Sequence, residues 1–197
     1  IAGCLAFGLF IGAQFLSSAP TTTTRLPAGV NADTGPGADR EIAMLQGKLQ
    51  LAAHDEPILG SPDAPTLLCV MFDYCCPHCR RTHQYLQTAL QEFPGELAVV
   101  ALPTPRDADC NPAIEETEPR FEHACELAQL ALAVWAADRS AFPEFDRWLF
   151  ENSKPRTPEE ALAKAQELVS ANELDNAQQD SRVMGKITRN VQAYAES

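Results

Sequence analysis

Thr66-Leu67-Leu68-Cys69-Val70-Met71-Phe72-Asp73-Tyr74-Cys75-Cys76-Pro77-His78-Cys79 is a near-continuous apolar run that ends in two cysteines separated by two residues. From Thr66 to Asp73 the apolar residues do not alternate, which predicts a strand buried on both faces. Pro77 suits the first turn of a helix, where the missing amide hydrogen has no partner to lose. That helix runs to about Glu92, with Tyr85, Leu86 and Leu90 on its apolar face, and Phe93-Pro94-Gly95 stops it. Leu97-Ala98-Val99-Val100-Ala101-Leu102 predicts the next strand. A strand, a helix and a strand in this order form a βαβ unit with parallel strands.

The placement of the dithiol carries the chemistry. At a helix N-terminus the first sulfur faces unpaired amide hydrogens and the positive end of the helix dipole, which hold it as a thiolate. A thiolate is an attacking group and a good leaving group, and a second thiol one turn on can resolve a mixed disulfide. Cys76 is therefore read as the nucleophile and Cys79 as the resolving thiol, with Pro77 and His78 between them as part of the site. The His78 imidazole adds a donor or a positive charge near Cys76; this stabilises the reduced form and makes the disulfide a stronger oxidant. Two other readings stand beside this one: an inert structural pair, or half of a zinc site completed by Cys75 and His83 in cramped geometry. Cys75 reads as a core-facing thiol or a third partner, and Cys69 as a small buried hydrophobe. Asp73 is a polar strand end or a proton-transfer partner for Cys79. The motifs call for no cofactor and no metal.

Cys110 and Cys125 form a second pair. A disulfide between them closes a loop of about 15 residues and contributes on the order of 3 kcal/mol in the chain-entropy model. It pins the loop that holds Pro112 and Pro119 against the helix that follows. Free thiols, a second redox relay and a zinc cluster with His123 are the alternatives.

The rest of the chain reads as helices. Phe121 to about Asp138 is long, with Leu127, Leu130, Ala131, Val134 and Trp135 at helical spacing. Phe142 to Glu151 is the next; Phe142, Phe145 and Trp148 pack into a core or line a peptide groove. Thr157 caps a third helix, with Pro158 at its first position and Glu160 closing a capping box. Val183 to about Tyr194 is a fourth. Ahead of the βαβ unit, Arg40 to Gln46 reads as a turn of helix, Gly47 to Leu51 as a short strand and Pro57 to Pro65 as a turn-rich approach. With so few strands, the helices must pack on one another unless further strands lie beyond Ser197.

Bulk properties bound the rest. The 197 residues are 45% hydrophobic, enough for one core, and the net charge of −12 excludes a broad nucleic-acid-binding face. Seven cysteines make an odd count, and Cys4 stands apart from the others. Residues 1–19 carry no charge and are just long enough to span a bilayer, which predicts a transmembrane helix or the remnant of a secretory signal. Residues 20–46, rich in Pro, Thr, Gly and Ala, read as a flexible linker, and residues 47–197 as the folded domain.

Gly60-Ser61-Pro62-Asp63-Ala64-Pro65, the strand that follows and Cys76-Pro77-His78-Cys79-Arg80 resemble the start of a DsbA-like thioredoxin-fold domain. The resemblance implies an α/β thioredoxin-like fold whose later helices are a helical insertion. It implies a thiol-disulfide oxidoreductase that oxidises substrate proteins through Cys76 and Cys79, with isomerase, partner-specific reductase or non-catalytic binding module as alternatives. The implied partners are extracytoplasmic proteins with free thiols and a membrane quinone-linked reoxidant. The hydrophobic start and linker resemble the tail of a bacterial vitamin K epoxide reductase fused to such a domain, which places the domain membrane-anchored on the periplasmic side. No proline-led strand follows Val183, so the chain is expected to stop before the cis-proline strand of the fold.

Overall fold

The computed structural model describes residues 40–196. Strands β1 (Glu41–Met44) and β2 (Leu49–Ala52) form an antiparallel hairpin. A second sheet holds β3 (Ile58–Leu59), β4 (Thr66–Phe72) and β5 (Leu97–Pro103) in the order β3-β5-β4. Helix α1 (Pro77–Glu92) links β4 to β5, and these two strands are parallel, with Thr66 opposite Leu97 and Phe72 opposite Pro103. Helices α2 (Ala124–Ala137), α3 (Phe142–Glu151), α4 (Pro158–Leu168), α5 (Ala171–Gln178) and α6 (Ser181–Ala195) follow. This is the expected thioredoxin-like α/β unit with a helical insertion.

The centre of the sheet is β5, not β4. All seven β5 residues are buried between neighbours on both sides. Among the described residues β4 pairs only with β5, and Leu68 is exposed on it, so the expectation of a strand buried on both faces is corrected. An apolar run does not reveal how many neighbours its strand has. Residues 41–44 form a strand rather than a turn of helix, because their partner is β2, across a turn that Leu45, Gln46 and Gly47 take with positive φ.

The helices do pack on one another. Helix α2 buries ten of its 14 residues, and a helix apolar all round belongs inside a core. Its alanines let neighbours approach closely: Ala128 and Leu132 meet Val183, Ile187 and Val191 of α6, while Leu127, Leu130, Ala131 and Val134 join the main cluster with Phe142, Phe145 and Leu149. Helix α4 starts with the expected capping box of Thr157 and Glu160. Helix α5 was not anticipated, although its start follows the same rule: Ser170 accepts from the amide of Glu173. Helix α6 is tied to the sheet by polar groups. Asn190 donates to the Pro103 carbonyl at 3.0 Å, and Arg189 grips the buried Glu56 carboxylate at 2.6 and 2.8 Å.

The expected membrane segment is corrected. No helix among the described residues is long and apolar enough to cross a membrane. The most apolar, α2, has 14 residues against the ~20 needed to span. Residues 1–19, on which the expectation fell, Cys4 and the expected linker up to residue 39 lie outside the described residues. Among the described residues all peptide bonds are trans and no strand follows α6.

Candidate active site

Cys76 is the N-cap of α1. Its extended backbone (φ −84°, ψ 119°) turns the sulfur back over the first turn, where it accepts the Cys79 amide at 3.5 Å. The Cys76 amide donates to the Asp73 carbonyl at 3.1 Å, and its carbonyl accepts the Arg80 amide at 3.0 Å. Pro77 occupies the first helical position. Pro77 and His78 are exposed, while Cys76 and Cys79 are half-buried.

The strand end fixes this turn. Asp73 is buried, and its carboxylate accepts the Cys75 amide at 2.6 Å and the Arg106 amide at 2.7 Å. It joins the loop after β4 to the loop after β5. Burial raises the Asp73 carboxyl above the usual range, and the two amides partly oppose this. The carboxylate is therefore a structural acceptor with both oxygens engaged.

The thiols differ in surroundings. Cys75 is buried in the main core, and burial, then the charges of Asp73 and Asp107, push its thiol up to about 12. It is a core thiol, not a rival nucleophile. Burial likewise pushes Cys79 up to about 12, with further contributions from the neighbouring Cys76 and Asp73 against a backbone hydrogen bond at Asp73. At neutral pH Cys79 holds its proton. Cys69 is half-buried, and burial followed by the Glu56 charge raises it.

Behind the dithiol lies a cavity of about 130 Å³, lined by Val70, Phe72, Leu86, Val99, Ala101 and Phe150. His78, Cys79, Thr82, His83 and Asp146 also border it. His83 and Asp146 are both buried, with the imidazole Nε2 2.6 Å from Asp146 Oδ2. The Tyr74 hydroxyl donates to Oδ1 at 2.9 Å, and burial, then the Asp146 charge, keep that hydroxyl protonated. Phe150 stacks on His83 at 4.4 Å. Asp146 was not singled out from the sequence. The signal was present: on α3 the buried face is Phe142, Phe145, Asp146, Leu149 and Phe150, and a carboxylate inside an apolar stripe needs a partner.

Cys110 and Cys125 are bonded to each other, with Cα atoms 5.9 Å apart. The loop they pin, residues 104–118, is ordered by Asp107, whose carboxylate accepts from Asp109, Thr117 and Cys125. Two metal readings lose their donors: Cys110 and Cys125 spend theirs on the bond, and exposed His123 pairs with Glu126 at 2.8 Å. His83, the fourth ligand of the cramped alternative, has its Nε2 against Asp146. Among the described residues no group of three such side chains is placed to hold a metal ion. Phe142 and Phe145 are fully buried, and Trp148 stacks on Phe145 beneath the Arg156 guanidinium.

Comparison with known proteins fits this arrangement. A family model described as thioredoxin matches residues 52–197. Among solved structures, the thioredoxin-like oxidoreductase from Silicibacter pomeroyi is 23% identical, with a TM-score of 0.56 and coverage of 73% of this chain and 75% of that one. The thiol-disulfide exchange protein alpha-DsbA2 from Wolbachia pipientis is 15% identical, with a TM-score of 0.56 over 72% and 69%. The catalytic domain of Proteus mirabilis ScsC is 20% identical, with a TM-score of 0.53 over 72% and 70%. No curated protein sequence matches. The chain belongs to the thioredoxin family, and these solved structures share its fold. The resemblance to a vitamin K epoxide reductase fusion is withdrawn: the family match is to a thioredoxin over residues 52–197 and gives it no support.

Proposed function

We propose that the protein oxidises dithiols of substrate proteins through a Cys76–Cys79 disulfide. A substrate thiolate attacks Cys76, the Cys76–Cys79 bond breaks, and Cys79 leaves and takes a proton. The second substrate thiolate then attacks the substrate sulfur of the mixed disulfide, and Cys76 leaves as a thiolate. The substrate gains a disulfide and the protein becomes a dithiol. The observation that carries this reading is the Cys76 sulfur at the α1 N-cap, accepting the Cys79 amide. That hydrogen bond and the helix N-terminus favour negative charge on Cys76, the better leaving sulfur. Stabilising the reduced form in this way makes the disulfide oxidising. Exposed His78 beside it is the natural source of a further donor.

Substrates in this reading are proteins with free thiols outside the cytoplasm, and a separate reoxidant restores the disulfide. The Cys110–Cys125 bond supports an oxidising compartment, because structural disulfides persist there. Residues 47–197 form the working domain of this proposal.

The test is oxidation of a reduced substrate protein by the oxidised full chain. Cys76→Ser is expected to abolish it, and Cys79→Ser, mixed with the substrate protein in its disulfide form, to trap a mixed disulfide at Cys76 with release of one substrate thiolate. Unchanged oxidation by Cys76→Ser would assign the activity elsewhere and favour a binding module.

A further inference from the structure

The cavity behind the dithiol joins half-buried Cys79 to the buried His83–Asp146 hydrogen bond, which the exchange steps above leave unused. Cys79 and His83 are four residues apart on α1 and so lie on one face of it. Asp146 reaches the same space from α3, and Tyr74 completes its coordination from the end of β4. Both Asp146 oxygens are engaged, so the imidazole is held at Nε2 and its second nitrogen, Nδ1, is the one left for exchange. The other titratable groups facing this space are His78 on its border and Cys76 and Asp73 beside the Cys79 thiol.

Resting on the proposed role of the dithiol, we infer that His83, positioned by Asp146 and Tyr74, is the proton donor and acceptor for Cys79. When the substrate breaks the Cys76–Cys79 bond, Cys79 departs as a thiolate and receives a proton from His83 Nδ1. When a disulfide reoxidises the protein, Cys76 first forms a mixed disulfide and expels one thiolate. Cys79 then gives its proton to His83, its sulfur attacks Cys76, and the second thiolate leaves. Each reoxidation consumes one disulfide, releases two thiolates and leaves on His83 the proton that Cys79 takes back when the next substrate breaks the Cys76–Cys79 bond. The cavity is large enough for one water, and Cys79, Thr82, His83 and Asp146 offer the polar partners that such a water needs. Asp73 is the rival acid, but both its oxygens accept backbone amides.

The burial that keeps the Cys79 thiol protonated makes such an acceptor necessary at neutral pH. Asp146 and Tyr74 are positioning residues: they touch the imidazole or its carboxylate partner, not the reacting sulfurs.

The test uses the reduced full chain and oxidised glutathione as the disulfide. Stopped-flow and quenched mass analysis separate mixed-disulfide formation, which depends on glutathione concentration, from ring closure by Cys79, which does not. His83→Gln, which keeps a donor toward Asp146, is expected to slow closure at least tenfold at pH 7. It is expected to leave the first phase within twofold and to make closure rise with hydroxide concentration across the neutral range. Asp146→Asn, with the imidazole retained but loosely held, is expected to slow closure by a smaller factor. Closure within twofold of the unaltered protein in both folded variants would overturn the inference. So would slowing by Asp73→Asn alone. Failure of the unaltered protein to form a mixed disulfide at Cys76 would overturn the dithiol reading itself, a result visible in the first phase and separate from the closure rates.

Discussion

Cys75, Cys76 and Cys79 lie within one turn of chain, yet they meet different surroundings. Cys76 caps a helix with an amide aimed at its sulfur, whereas burial pushes the other two thiols up to about 12. Alkylation of the reduced protein with iodoacetamide at neutral pH should therefore modify Cys76 well ahead of Cys75 and Cys79, as peptide mapping by mass spectrometry will show. Stability follows with a definite sign. An unfolded thiol titrates near 8.5, so between about pH 9 and 12 the native state binds more protons than the unfolded state. The stabilising contribution is complete below that window and is lost as pH rises through it. Reduced protein should thus lose melting temperature between pH 9 and 12, and Cys75→Ala should flatten that loss. The place of the dithiol at a helix start was legible in the sequence. The His83–Asp146–Tyr74 network was not, because it joins residues up to 72 positions apart and only the packing of α3 on α1 brings them together.

At the scale of elements, short local rules read well and neighbour-dependent properties did not. The capping box of α4 was visible as Thr157-Pro158-Glu159-Glu160 because every group it needs lies within one turn. Thr157→Ala should cost about 1 kcal/mol in urea denaturation without changing the redox chemistry. The turn between β3 and β4 was legible only as a turn. In the structure Gly60 has φ of +94°, and an added Cβ would lie 2.8 Å from the Leu97 carbonyl oxygen. Gly60→Ala is therefore expected to destabilise by about 2 kcal/mol, combining the left-handed backbone with a contact that main chain cannot easily yield. Strand β4 misled because its composition is that of a central strand, while it has a single strand neighbour among the described residues.

For the whole molecule, the helical insertion and the strand–helix–strand unit are joined by a few specific links. One is the Glu56 carboxylate, buried between Arg189 and Lys186 of α6. Glu56→Ala would strand two partly buried cations, with an expected loss of about 3 kcal/mol in chemical denaturation. Another is the Cys110–Cys125 bond; replacing both with Ser should cost about 3 kcal/mol and leave Cys76 reactivity intact. These links set the stability of the frame, whereas the dithiol sets the direction of exchange. The most direct measurement is the redox equilibrium of Cys76 and Cys79 in glutathione buffers, followed by mass after acid quench and alkylation. The account predicts a potential in the oxidising range, about −120 to −180 mV; a value near −270 mV, where thioredoxin works as a reductant, would contradict it.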